Sequence, residues 1–195
     1  GTSDFGKELD SLTDFVSFGI APVFLLYFWE LNNYGKIGWA ITLVYSVCCV
    51  LRLARFNLTK IDKNQSWKIN FFEGVPAPAG GILILMPVIF ELSEFSLNYD
   101  IKNFTPYFTM LIAILLVSKF PTLSLKKISI SPKASGFILL VIGIIFISLL
   151  FFTFEILLIL GLIYLISLPL SYFIYNKSNK KENQEISEDE HEDVL

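Results

Sequence analysis

Two aspartates four residues apart, Asp10 and Asp14, lie at the polar edge of the first apolar run of this chain. In a helix this spacing places both carboxylates on one face, with Gly6 one turn before them. Like charges so placed repel each other, and a carboxylate costs free energy as it approaches the apolar phase of a membrane. A divalent cation would relieve the repulsion, because hard ions take carboxylate oxygens and bridge to phosphates. The pair therefore predicts a divalent-cation site.

The same aspartates also have a purely structural interpretation. A carboxylate near the N-terminus of a helix complements the helix dipole, so Asp10 could be a polar cap. That interpretation explains Asp14 poorly, because Asp14 lies a turn deeper and precedes an unbroken apolar run. Two carboxylates alone do not complete the ligand shell of a cation. None of the other apolar runs has a second acidic pair near the same face, so we expect the missing ligands upstream of Gly1.

The apolar runs that position this pair are long and are separated by short polar stretches. Hydrophobic residues make up 54% of the 195 residues, and the mean hydropathy is +0.62. Each run approaches the roughly 20 residues that a helix needs to cross a membrane. We predict an all-α integral membrane protein, a bundle of about six transmembrane helices at residues 10–29, 37–56, 77–95, 106–120, 134–152 and 155–175. Pro87 predicts a kink in the third helix, and Gly80 and Gly81 predict close helix packing.

The basic residues indicate the orientation of the bundle. With the amino end inside, all lysines and arginines except Lys36 and Lys102 lie in inside segments, which is thirteen of the fifteen. The positive-inside rule therefore predicts that both termini are cytoplasmic. Residues 176–195 hold seven of the eighteen acidic residues and no aromatic ones, which predicts a disordered acidic tail. His191, the only histidine, lies in that tail, which excludes catalysis of the Ser-His-Asp and Cys-His types.

Two arginines, Arg52 and Arg55, lie at the predicted inside end of the second helix. A guanidinium binds phosphate or carboxylate through two parallel hydrogen bonds, so both arginines are candidate substrate-binding residues. The alternative is that they extend to lipid headgroups, as basic residues at helix ends commonly do. Lys60, Lys63 and Lys68 in the following loop would add attraction for anionic lipid or for a nucleotide.

The spacing Gly6-x3-Asp10-x3-Asp14 resembles the second half of the signature of the CDP-alcohol phosphatidyltransferases, D-x2-D-G-x2-A-R-x8-G-x3-D-x3-D. Residues 9–22, 52–57 and 74–80 are similar to the bacterial membrane-integral phosphatidylserine synthases, a branch of that family. The resemblance covers about residues 1–175. The first half of the signature is absent from this sequence. We therefore expect a partial transmembrane domain that lacks the first helix or helices of the family fold and is inactive alone.

The resemblance implies a reaction and the residues that perform it. The reaction is transfer of the phosphatidyl group from CDP-diacylglycerol to L-serine, giving phosphatidylserine and CMP in phospholipid biosynthesis. Asp10 and Asp14 would be catalytic and would bind Mg²⁺ or Mn²⁺, with Asp14 either a ligand or the general base. Gly6 would allow close approach of the nucleotide, and Arg52 and Arg55 would bind substrate. The resemblance also implies a homodimer in the bacterial inner (cell) membrane that contacts membrane lipids, has no nucleic-acid partner and has its active site facing the cytoplasm.

Two other functions stay open. The first keeps the family and changes the acceptor alcohol, for example to glycerol phosphate or inositol phosphate. The second is a transporter fragment in which Asp10 and Asp14 form an ion site. Transporters place such sites near the midplane of the membrane, whereas this pair lies at its edge, so the enzyme is the favoured interpretation.

Overall fold

The computed structural model describes residues 3–58, 71–96, 101–118, 121–123 and 132–192. The chain begins with a long helical stretch built from three parts: α1 (Asp4–Asp14), a π-helix (Phe15–Ile20) and α2 (Ala21–Trp29). The π-helix is called the π segment from here on. Ser3 caps α1, because its side-chain oxygen accepts a hydrogen bond from the Gly6 N–H at 3.1 Å.

The remaining elements are mostly helices joined by short turns. A 3-10 turn (Leu31–Tyr34) precedes α3 (Lys36–Leu58), and a short strand, β1 (Phe71–Glu73), precedes α4 (Ala77–Ile84) and α5 (Met86–Leu92). Two further 3-10 turns (Glu94–Ser96 and Lys102–Phe104) lead to α6 (Thr105–Val117), β2 (Pro121–Leu123), α7 (Pro132–Phe151) and α8 (Thr153–Glu192).

The prediction of an all-α membrane protein is confirmed. A helix covers most of the described residues of each predicted span. Three helical stretches in the described part of the chain are long and apolar enough to cross a membrane: Phe5–Trp29, Lys36–Leu58 and Thr153–Phe173. Lys102–Val117 and Gly136–Phe151 are shorter apolar helices. The third predicted span is divided at Leu85 into α4 and α5, because Pro87 has no N–H to bond to the carbonyl one turn earlier.

The last helix differs from the prediction at its far end. α8 continues to Glu192 and is helical over residues 176–192, where the composition predicts disorder. The physical reason is that these residues include neither glycine nor proline and are rich in Glu and Lys, which are good helix formers. Residues 193–195 of the predicted tail lie outside the described residues, as do Lys60, Lys63 and Lys68 of the predicted basic loop.

The buried core lies where α2, α3, α4 and α6 meet, and α5 and α8 also contribute buried residues to it. Leu26, Tyr45 and Ile84 are fully buried in this core. The outer surface is also apolar, and on α7 large side chains such as Phe137 and Phe146 are well exposed. An apolar surface of this extent is what a protein surrounded by lipid presents.

Polar contacts join the helices at the two ends of the bundle. At one end the Tyr34 hydroxyl donates a hydrogen bond to Asn103 Oδ1 at 3.4 Å, and the Glu155 carboxylate accepts one from the Glu94 N–H at 3.1 Å. At the other end β1 pairs antiparallel with β2. The connections after α3 and after α6 are therefore joined at the end of the bundle that also holds α1.

Candidate active site

The aspartate pair lies on one face of α1, as its spacing predicts. Asp10 is exposed and Asp14, one turn closer to the core, is half-buried. Two carboxylates one turn apart on the same helix face repel each other.

Ser11 and Asp14 of α1 lie near the last turns of α3. Cys49 of α3 is close enough to both Asp14 and Arg52 to interact electrostatically with each of them. Closer to the membrane surface, Asn57 Nδ2 donates a hydrogen bond to Ser11 Oγ at 2.8 Å. The fold thus brings the predicted metal-binding helix next to the predicted substrate-binding arginine.

Asp10 and Asp14 fit a divalent cation as part of its ligand set. Their carboxylate oxygens are the hard ligands that Mg²⁺ and Mn²⁺ prefer. The described residues contain no cluster of three or more His, Cys, Asp or Glu side chains that would complete such a site. A cation held by these two aspartates would therefore take its other ligands from substrate, from water or from residues outside the described part of the chain.

Arg52 is buried inside the bundle, with only 5% of its surface exposed. Its Nε donates a hydrogen bond to the Val75 carbonyl at 3.0 Å, and its guanidinium carbon lies 5.8 Å from the ring centroid of Phe56. This burial contradicts the alternative that Arg52 extends to lipid headgroups. A buried charge acts strongly on its surroundings, because little water is present to screen it.

Arg55 is half-buried one turn further along α3. Its Nη1 donates a hydrogen bond to the Val117 carbonyl at 2.8 Å and so joins the end of α3 to the end of α6. Each of these arginine bonds uses one of the five N–H donors of a guanidinium. Both arginines therefore have a structural role that the sequence did not reveal, and their role toward substrate stays a prediction.

Tyr164 of α8 also lies close to Arg52, near enough to interact with it electrostatically. Its hydroxyl is buried, and among the described residues it has no hydrogen-bond partner. A buried hydroxyl without a partner is unusual and calls for an explanation. The sequence analysis missed this residue, because a tyrosine within an apolar run has no pattern that separates it from ordinary core residues.

Gly6 is exposed at the start of α1. A Cβ added there would lie 3.2 Å from the Ser3 Oγ that caps the helix. The described neighbour of Gly6 is therefore the cap of its own helix, and close approach of a nucleotide stays a prediction.

Two other residues that hold the first helical stretch, residues 4–29, in place were also missed. The buried Tyr45 of α3 donates a hydrogen bond from its hydroxyl to the Phe18 carbonyl at 3.0 Å. Asn57, described above, fixes the other end of the same helix. Pro22, four residues after Phe18, was the available signal, because a proline leaves the carbonyl one turn earlier without its usual donor.

A family model described as CDP-alcohol phosphatidyltransferase matches residues 1–118 of this chain. The matched segment contains Gly6, Asp10, Asp14, Arg52 and Arg55.

Similar curated proteins carry the name CDP-diacylglycerol--serine O-phosphatidyltransferase. The protein of Mycobacterium tuberculosis (strain H37Rv) is 34% identical over 143 residues, which is 73% of this chain and 50% of the relative. The protein of Helicobacter pylori (strain 26695) is 34% identical over 150 residues, 77% of this chain and 60% of the relative. That of Methanocaldococcus jannaschii is 34% identical over 145 residues, 73% of this chain and 62% of the relative. The chain thus spans between half and about three fifths of the length of these relatives.

Proposed function

We propose that this chain, which belongs to the CDP-alcohol phosphatidyltransferase family, takes part in transferring the phosphatidyl group of CDP-diacylglycerol to L-serine. The observation that carries this proposal is the pair Asp10 and Asp14 on one face of α1, with Asp14 near Cys49, one turn before Arg52 on α3. The names of the relatives favour serine as the acceptor.

The reaction exchanges one phosphate ester bond for another. The serine hydroxyl oxygen forms a bond to the phosphorus on the lipid side of the diphosphate, and the bond from that phosphorus to the oxygen of CMP breaks. The hydroxyl proton passes to a base, and CMP leaves with the electron pair. Asp10 is proposed as a metal ligand, and Asp14 as either a second ligand or that base.

Asp10 and Asp14 would hold Mg²⁺ or Mn²⁺. Such an ion, when bound, neutralises charge on phosphate oxygens. The buried charge of Arg52 would help to bind an anionic group of the substrate, and the unpartnered hydroxyl of Tyr164 lies close to that charge. Gly6 and Arg55 are proposed to contact substrate beside them.

We further propose that the site faces the cytoplasm of a bacterium, in the inner membrane, and that the protein is a homodimer. The location is supported by the sequence, because thirteen of the fifteen lysines and arginines belong to segments predicted to lie inside. The homodimer follows from the family resemblance.

The test uses the full-length natural protein in detergent with CDP-diacylglycerol, and measures CMP release. Asp10→Asn and Asp14→Asn should each lower the rate about 100-fold or more, a loss typical of removing a group that stabilises developing charge. Glu8→Gln is the matched control, because Glu8 is an exposed acid of α1 that lies on another face. Its rate should stay near normal.

The acceptor is tested in the same assay with serine, glycerol phosphate and inositol phosphate. Of the three acceptors, only serine should support CMP release. Turnover with one of the other alcohols would keep the family and replace the proposed acceptor. Near-normal rates and an unchanged metal requirement in both Asp→Asn variants would instead mean that the aspartates only cap the helix.

A further inference from the structure

The π segment between Asp14 and α2 has a cause in the sequence. In an α-helix the Phe18 carbonyl would accept a hydrogen bond from the residue four positions later, which is Pro22. Proline has no N–H, and its ring clashes with that carbonyl. The helix widens at this point, and the Ala21 N–H bonds to the Val16 carbonyl, five residues back. Such π turns inside α-helices are frequent at functional sites.

Tyr45 supplies the donor that Pro22 lacks. Its hydroxyl donates to the Phe18 carbonyl at 3.0 Å from the neighbouring helix α3, and the whole side chain is buried. Within the apolar part of a membrane no water replaces a lost donor, so an unpaired carbonyl there is costly. Tyr45 therefore stabilises the π segment directly.

Close packing holds the π segment against both α3 and α4. A Cβ added to Gly19 would lie 3.1 Å from Cys49 Sγ on α3, and one added to Gly81 would lie 3.1 Å from Phe18 Cα. The π segment thus lies between α3 and α4 with little room to move. Its shape is fixed by contacts with both helices.

The π segment sets the direction in which the aspartates point. An α-helix rotates by about 100° per residue, and a turn closed five residues back includes one residue more than an α-helical turn. α2 is anchored in the core by buried residues such as Val23 and Leu26. If the segment relaxed to a regular α-helix while α2 stayed in place, the Asp10–Asp14 face would rotate by about one residue, roughly 100°.

We propose that Tyr45 is a positioning residue for the candidate active site: its hydroxyl holds the π segment and so fixes the orientation of the α1 face that carries Asp10 and Asp14, with Asp14 near α3. The structural part of this inference concerns only the helix. Its kinetic consequence rests on the proposed function.

The structural part is tested by cross-linking in the full-length protein. Cys48 and Cys49 are replaced by alanine, and cysteines are introduced as Ser11→Cys and Asn57→Cys, at the two side chains that hydrogen-bond at 2.8 Å. A short bifunctional thiosulfonate should join them rapidly. Tyr45→Phe keeps the ring and removes the donor, and it should slow cross-linking by about fivefold or more. Tyr107→Phe is the control, because Tyr107 is 74% exposed.

A second variant separates the proposed cause from general damage. Pro22→Ala restores an N–H for the Phe18 carbonyl, so the segment can close as an α-helix and cross-linking should slow. In the Pro22→Ala background, Tyr45→Phe should slow cross-linking almost no further, because the Phe18 carbonyl already accepts a hydrogen bond from the N–H of residue 22. Purely additive effects of the two substitutions, or a normal cross-linking rate in Tyr45→Phe alone, would overturn the proposal.

The kinetic part is tested in the protein with its natural cysteines. Tyr45→Phe should raise the Mn²⁺ concentration needed for half-maximal CMP release and leave the KM for serine unchanged. If the parent protein releases no CMP with any acceptor, the proposed function fails while the cross-linking result still decides the role of Tyr45. If CMP release is normal in the parent and cross-linking is unaffected by Tyr45→Phe, the positioning role fails while the function stands.

Discussion

The residues around Arg52 combine a buried charge with a buried hydroxyl that has no partner among the described residues, that of Tyr164. Both groups are costly to remove from water, and the Tyr164 hydroxyl has no hydrogen bond among the described residues to offset that cost. Groups of this kind persist where they serve binding or catalysis. Tyr164 of α8 is therefore a candidate functional residue in addition to the aspartates of α1.

Tyr164→Phe should separate stability from activity. Removing an unpartnered buried hydroxyl should leave the free energy of unfolding unchanged or raise it by up to about 1 kcal/mol. If the hydroxyl contacts substrate, kcat/KM for CDP-diacylglycerol should fall about tenfold, the effect of about one hydrogen bond. Thermal unfolding in detergent and CMP release measure the two quantities.

Tyr107→Phe serves as the control here too, because its hydroxyl lies on the exposed outer face. Unchanged kinetics in Tyr164→Phe would show that the hydroxyl has no part in substrate binding.

The sequence is sufficient to predict the site where its residues are close along the chain. Asp10 and Asp14 are four residues apart, so the geometry of one helix determines their relation. The contact of Arg52 with Val75 joins residues 23 apart, and that of Asn57 with Ser11 joins residues 46 apart. Such contacts depend on how helices pack, which the spacing of residues in one sequence does not specify.

At the scale of elements, α4 shows how close helix packing depends on side-chain size. A Cβ on Gly80 would lie 2.7 Å from a methyl carbon of Leu116 on α6, and one on Gly81 would lie 3.1 Å from Phe18 Cα in the π segment. The prediction of close packing at this glycine pair is confirmed. The two cases differ, because a leucine methyl group can turn away whereas a backbone atom cannot.

Gly81→Ala should destabilise the protein by about 1–3 kcal/mol, the range for overpacking a well-packed core. The added methyl group has to displace the backbone of the π segment. Gly143→Ala is the matched control, because Gly143 lies on α7 with nothing within 4 Å of an added Cβ. Its effect should stay within about 0.5 kcal/mol. Equal unfolding temperatures for the two variants would show that α4 and the π segment adjust freely.

Helices could be predicted where long apolar runs carry the signal. The predicted span 37–56 corresponds to α3, and the predicted break near residues 153–155 falls between Phe151 and Thr153. The π segment and the pairing of β1 with β2 could not be predicted in this way. The first depends on a proline acting together with a tyrosine of another helix, and the second on the meeting of two distant connections.

The helix bundle as a whole has two ends, which can be told apart by the polar residues at each. The turns that carry Asn33 and Asn103 lie at one end, linked through the hydrogen bond from Tyr34. Ser11 and Asn57 lie at the other end. The distribution of basic residues predicts that the second end is cytoplasmic.

Cysteine labelling of intact cells tests this orientation. In a protein with Cys48 and Cys49 replaced by alanine, a membrane-impermeant maleimide should label Asn33→Cys and Asn103→Cys from outside. Asn57→Cys should be labelled only after the membrane is opened. All three positions are exposed in the structure, so whether the maleimide reaches each cysteine depends on which side of the membrane that cysteine lies. Labelling of Asn57→Cys alone in intact cells would place the aspartates on the wrong side for a nucleotide substrate.

The two arginine bonds also impose an order on biogenesis. The Val75 carbonyl that accepts from Arg52 is synthesised 23 residues after Arg52. The Val117 carbonyl that accepts from Arg55 is synthesised 62 residues after Arg55. At a synthesis rate of roughly 5–20 residues per second, the wait for Arg55 is about 3–12 s. During that time the Val117 carbonyl that accepts from Arg55 does not yet exist. The bond that joins α3 to α6 therefore forms long after α1, with Asp10 and Asp14, has been synthesised.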